Sequence, residues 1–209
     1  MNSRRLIAIT LIGIILSGCA AMSAEECVYS DWTAVGYEDG ADGRGSDRFG
    51  DYRRACADHN ITPDFDAWQA GRERGLIEFC QPLRGFQLGQ SGGFYNGVCN
   101  ANLEPSFVDA FRLGAELYSL RGNLDAIVSS IDANSRAILR IDSDVAEIES
   151  RIILDETTQA ERAQLLIDMR ELSEIKGELE LEADLLIEQR TLAELALYEF
   201  ESTVSSAGF

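Results

Sequence analysis

From about Gly122 onward the large apolar residues fall seven apart. Leu124, Ile131, Ile138, Val145 and Ile152 form one series; Leu165, Leu172, Leu179, Leu186 and Ala193 form another. Ile127, Ile141 and Ile148 fill intermediate places in the first, Met169 and Ile175 in the second. A stripe with this period is the line along which long helices wind about one another. Between the series, Thr158-Gln159-Ala160-Glu161 is a capping box, so a second helix starts there and the first ends near Leu154. Folding back at that break pairs 152 with 165, 145 with 172, and so on to 124 with 193; the two numbers total 317 in every layer. The expectation is an antiparallel coiled-coil hairpin over residues 122–201, its seam roughly 40 Å long, followed by a disordered tail at 202–209. The competing arrangement, extended chains pairing through the same heptads, is disfavoured by the short break and the constant register. Asn134 interrupts the seam and is expected to fix its register.

The first half is a different object, and it is duplicated. Asp66-Ala67-Trp68 with Gly71 returns as Asp109-Ala110-Phe111 with Gly114. Walking backwards, Cys27/Cys80, Gly36/Gly89, Gly40/Gly93, Tyr52/Tyr95 and Cys56/Cys99 also correspond, with one gap in the Gly-rich stretch Ala41–Gly50. Two cysteine pairs in register make duplication the better reading than chance. The repeats are 27–79 and 80–121, each expected to be short helices packed through glycines four apart. Asp31 (or Ser30), Asp47 and Pro63 are candidate start signals and Asn60 a stop.

The first 18 residues read as an export signal. Arg4 and Arg5 precede an apolar core, Leu6–Leu16, too short to span about 30 Å of hydrocarbon. Leu16-Ser17-Gly18-Cys19 resembles a bacterial lipobox. That resemblance implies cleavage before Cys19, a diacylglycerol on its thiol, and an acyl chain such as palmitate on the new amine. Ala20, in place of an inner-membrane retention signal, implies the periplasmic face of the outer membrane. Residues 19–26 are then a tether. Four cysteines remain, Cys27, Cys56, Cys80 and Cys99. An even number in an oxidising compartment points to two disulfides, and without any close C-x-x-C pair a zinc site is not expected. Three pairings respect the duplication. Cys27–Cys56 with Cys80–Cys99 is favoured, because each bond then closes its own repeat over a short loop; Cys27–Cys99 with Cys56–Cys80, and Cys27–Cys80 with Cys56–Cys99, stay open.

With the lipobox, the stretches GYEDG, RRAC, AWQAGRERGLIEFC, FQLGQSG and YNGVC resemble a proteobacterial lipoprotein family catalogued as a domain of unknown function, number 2799 in its series. The resemblance covers roughly residues 27–121 and implies export and lipidation. It brings no activity, ligand or catalytic residue.

Charge narrows the partners. The net charge is −18, and removal of Arg4 and Arg5 takes it to −20. Such a surface repels nucleic-acid phosphates. Residues 122–209 alone carry 20 Asp and Glu against 7 Arg and Lys, a face that suits a basic partner. Catalysis is poorly supplied. His59 is the single histidine and reads as a helix C-terminal residue; no G-x-S-x-G is present. Asp39, Asp42 and Asp47 lie among glycines, but their spacing is not a calcium loop. Arg44, Arg48, Arg53 and Arg54 cluster next to them, to pair with acids or to hold an anionic polymer. The expectation is an all-α, non-catalytic lipoprotein with no cofactor or metal, anchored to the outer membrane. Its hairpin would dock an envelope protein. The alternative is an envelope glycan or small-ligand binding module on a helical stalk.

Overall fold

The computed structural model describes residues 22–209. Seven helices follow in order: α1 (Ala24–Tyr29), α2 (Trp32–Ala41), α3 (Arg48–Ala57), α4 (Phe65–Phe79), α5 (Pro82–Gln90), α6 (Glu104–Ile152) and α7 (Gln159–Ser206). Among the described residues no strand interrupts them, and the all-α class read from the sequence holds. The chain divides into two compact units, one ending at Leu76 and one running from Ile77 to Phe209.

In the first unit, capping sets the helix starts. Ser23 and Glu26 form a capping box on α1, so the last part of the expected tether is helical. The Asp31 carboxylate accepts from Thr33 and Ala34 N–H and opens α2. Asp47 stands at the start of α3 but makes no side-chain cap. Asp64, not Pro63, caps α4, through the Ala67 N–H. Asn60 takes φ 58° and turns the chain after α3. The helices α2 and α4 touch backbone to backbone. A β-carbon at Gly36 would sit 1.9 Å from the Trp68 carbonyl oxygen, and one at Gly71 would sit 1.9 Å from that of Thr33. Only glycine on both sides permits that approach. Around it close Trp32, Phe49 and Trp68, sealed by the buried disulfide Cys27–Cys56.

The second unit repeats the device. A β-carbon at Gly89 would meet the Phe111 carbonyl oxygen at 2.1 Å, and one at Gly114 that of Phe86 at 2.2 Å. These are the positions the repeat alignment equates with Gly36 and Gly71, touching the counterparts of Trp68 and Thr33. Cys80 pairs with Cys99, so each disulfide closes its own repeat. One expectation fails: the second copy has no helix matching α3. Gly92, Gly93 and Gly97 lie in that stretch, Gly92 and Gly97 with φ of 71° and 69°, and glycine density removes helix propensity. The Tyr95 hydroxyl holds the loop instead, accepting from Cys99 N–H at 3.1 Å and donating to Glu104 at 3.0 Å.

The helix α6 begins inside the second repeat and runs 49 residues without a break, about 73 Å of helix. The sequence boundary at 121/122 therefore falls mid-helix. The capping box at Thr158 and Glu161 starts α7 as expected. The two helices are antiparallel, cross-linked by Lys176–Asp142 at 2.6 Å and Arg121–Glu201 at 2.7 Å. Ile141, Leu165 and Ala193 are buried and the other seam residues named above half-buried, with one correction. Ile175 is exposed; Lys176 occupies its place in the 3–4 spacing. Asn134 does sit in the seam, and its Nδ2 is buried without a hydrogen-bond partner. The tail is also corrected. The 3–4 spacing continues through Leu197 and Phe200 to Val204, which is buried, so residues 202–206 complete α7. Phe209 then stacks on Phe86, centroids 4.9 Å apart.

Candidate functional site

The buried charged side chain of the first unit, among the described residues, is Asp39. It is 8% exposed, accepts from Trp68 Nε1 at 2.8 Å and from the Tyr52 hydroxyl at 3.2 Å, and has Arg48 at 3.9 Å. Arg72 lies over the Trp68 ring at 5.8 Å and donates twice to the Arg44 carbonyl, at 3.0 and 2.7 Å. Burial, with the Asp39 charge beside it, pushes the Tyr52 hydroxyl above the usual tyrosine range. Burial likewise lowers the Arg72 guanidinium. Both Asp39 oxygens are engaged by neutral donors, so this carboxylate is a structural pin that orients Trp68 and Tyr52.

Next to that core opens a cleft of about 590 Å³, with Phe49 and Phe65 as an apolar wall and Ser46, Asp47, Arg53 and Thr62 as polar edges. The four clustered arginines separate in role here. Arg48 bonds Asp51 at 3.0 Å and Arg54 bonds the same carboxylate. Arg53 makes no ion pair among the described residues and lines both this cleft and the adjoining one with Asn60 and Ile61. An unpaired guanidinium that shares a cleft with two aromatic rings can hold an anionic or ring-bearing ligand. Sequence reading found Arg53 but not its wall; the spacing Phe49, Tyr52, Phe65, Trp68 was the available signal.

His59 lies just beyond α3 and donates from Nε2 to the Met22 carbonyl at 3.2 Å. Among the described residues no acid or nucleophile shares a hydrogen bond or ion pair with its ring, and Cys27, Cys56, Cys80 and Cys99 are spent in disulfides. Among the described residues no three His, Cys, Asp or Glu side chains gather as a metal site, and no helix is long and apolar enough to cross a membrane. Cys19 and the signal at 1–18 lie outside the described residues.

On the arm, ion pairs occupy Asp142, Glu174, Glu180, Glu194 and Glu201. Glu178, Glu182, Asp184 and Glu188 make none among the described residues. The acidic outer face is thus uncompensated along the middle of α7.

A domain family described as "Protein of unknown function (DUF2799)" matches residues 31–116, from the start of α2 to just beyond the glycine contact on α6. The match covers less than half of the chain, and it is the duplicated head that is similar to this family. No curated protein and no solved structure matches.

Proposed function

We propose that the protein is a non-catalytic lipoprotein of the outer membrane, anchored through Cys19 on the periplasmic side, whose helical arm docks an envelope protein. The observation that carries the reading is the continuity of α6. One helix starts in the disulfide-closed repeat and ends at the arm tip. A partner held at the tip is therefore held at a set distance from the repeat, as a scaffold requires. The acidic, largely unpaired outer face suits a basic partner and repels nucleic acid.

Two experiments test it. Cys19→Ala should abolish lipidation and outer-membrane fractionation; normal fractionation of that variant refutes the anchor. A photo-reactive residue at Leu139 or Ile153 on the arm, compared with Phe94 in the head, should yield a discrete protein adduct in intact cells from the arm positions only. Adducts confined to the head would refute the docking arm.

A second reading rests on the cleft at Arg53. There the head holds an envelope glycan or a small anionic ligand, and the arm is a stalk. It predicts glycan retention by the full chain that Arg53→Ala and Phe65→Ala each abolish.

A further inference from the structure

The helix α7 carries a second apolar stripe on the side turned away from α6. Leu181, Leu185, Leu192 and Leu195 are 68%, 60%, 61% and 54% exposed. At 100° per residue they fall within about 80° of the helix circumference, nearly opposite the seam residues Leu179 and Leu186. The spacing, four, seven and three residues, is that of a face packed by another helix. Four exposed leucines in one row are more than the scattered apolar residues of an ordinary surface. Glu188 lies within the row and Glu178 and Asp184 border it, all three without ion pairs among the described residues.

We infer that this stripe is the docking site of the arm, and that its occupant is a basic amphipathic helix of a partner protein, about four turns long. The inference rests on the docking-arm reading above. Charge selects the occupant. A second copy of this chain brings the same acids and a mature charge near −20, so two stripes face to face set Glu188 against like charge. An anionic lipid surface is repelled by the same residues. A helix with leucines every three and four residues and lysine or arginine between them buries the stripe and neutralises its border, the helix-against-helix mode of recognition.

The test uses the mature full-length chain with disulfides intact and, as probe, a synthetic 18-residue helical peptide with leucines in that spacing and lysines elsewhere. Binding is read by fluorescence anisotropy. Leu185→Glu with Leu192→Glu should weaken it on the order of a hundredfold, about tenfold per leucine. Both positions are exposed, so the fold is retained, and far-UV circular dichroism verifies this. The substitution adds two negative charges. Binding by bulk charge alone would therefore hold or tighten, and that result overturns the inference. Phe94→Glu in the head, 80% exposed, should leave the affinity unchanged or tighter.

Concentration-dependent dimers abolished by the double substitution would assign the face to a second copy instead. Co-flotation with phosphatidylethanolamine–phosphatidylglycerol vesicles would assign it to lipid. In cells, a photo-reactive residue at Leu185 or Leu192 should give a protein adduct. Adducts at Leu139 or Ile153 but none at the stripe would sink this inference and leave the docking arm standing; adducts from no arm position would remove both.

Discussion

Replacing glycine by alanine should have opposite signs in the two halves of this molecule, and the structure gives the size of each. At Gly71 the new β-carbon would lie 1.9 Å from the Thr33 carbonyl oxygen, whereas ordinary contact begins at 3.4 Å. The obstacle is backbone, so α2 and α4 must part by about 1.5 Å. That separation loosens Trp32, Phe49 and Trp68 around the contact. Overpacking of this kind costs up to about 3 kcal/mol, and the better helix propensity of alanine returns about 1 kcal/mol. The net loss for Gly71→Ala is about 2 kcal/mol, a large share of the stability of a small unit. At Gly177, inside α7, a β-carbon meets nothing within 4 Å. There Gly177→Ala should stabilise by up to about 1 kcal/mol, through propensity alone. The two effects can be read separately. Trp32 and Trp68 are the only tryptophans, so indole fluorescence follows the first unit. Far-UV circular dichroism is dominated by α6 and α7. In urea, Gly71→Ala should lower the fluorescence midpoint and Gly177→Ala should raise the dichroism midpoint. An unchanged or raised fluorescence midpoint for Gly71→Ala would refute the backbone contact on which the repeat is built.

Four further outcomes follow from the same geometry. Asp39→Ala leaves the Trp68 indole N–H and the Tyr52 hydroxyl without their acceptor; it should cost about 2–3 kcal/mol in the fluorescence transition, and Asp39→Asn clearly less. Losing either disulfide should cost about 2–4 kcal/mol, and non-reducing peptide mapping should return Cys27 with Cys56 and Cys80 with Cys99. The Tyr52 hydroxyl has its folded pKa raised by burial, so its contribution is complete below the ordinary tyrosine value and lost as pH rises through the folded one; Tyr52→Phe should flatten alkaline unfolding of the first unit. Ile131→Cys with Leu186→Cys, bridged by a short cross-linker at low concentration, should give an intramolecular product; cross-linked dimers that persist on dilution would contradict the hairpin.

The arm was legible because its periodicity is a one-dimensional signal. Seven-residue spacing and one capping box placed both helices and the turn, and the Lys176–Asp142 pair lies within one residue of the expected register. The misreading at Ile175 shows the limit: an apolar residue one place from the seam outranked Lys176, whose long stem can pack while its charge reaches Asp142. The duplication was legible through cysteine and glycine spacing, because the disulfides and the pairs Gly36/Gly89 and Gly71/Gly114 mark contacts that tolerate no other residue. What could not be read was what depends on long-range folding. The Asp39 pin joins residues 13 and 29 apart, and the wall of Phe49 and Phe65 forms only when α3 and α4 meet. The lost counterpart of α3 is a local failure, since Tyr95 and Cys99 kept their places while the glycines around them dissolved the helix. The leucine row on the back of α7 was in plain view, but two stripes on one helix read as noise until the hairpin shows which stripe is taken.

Because α6 leaves the repeat and becomes the arm with no hinge, the azimuth of the arm is locked to the contact at Gly114. Each residue inserted beyond that point swings everything farther along by about 100°. A single insertion would carry the seam off α7, and so would a deletion. Seven residues nearly restore the phase, provided α7 changes by seven as well. The reach of this protein is therefore stepped, in increments of about 10 Å, with fourteen residues changing at a time, half in each helix. The family match ends at residue 116, where this freedom begins. Chains that share the head can carry arms of different length without altering how the head is built, but only on those rungs. A fourteen-residue difference confined to one helix would unseat the other.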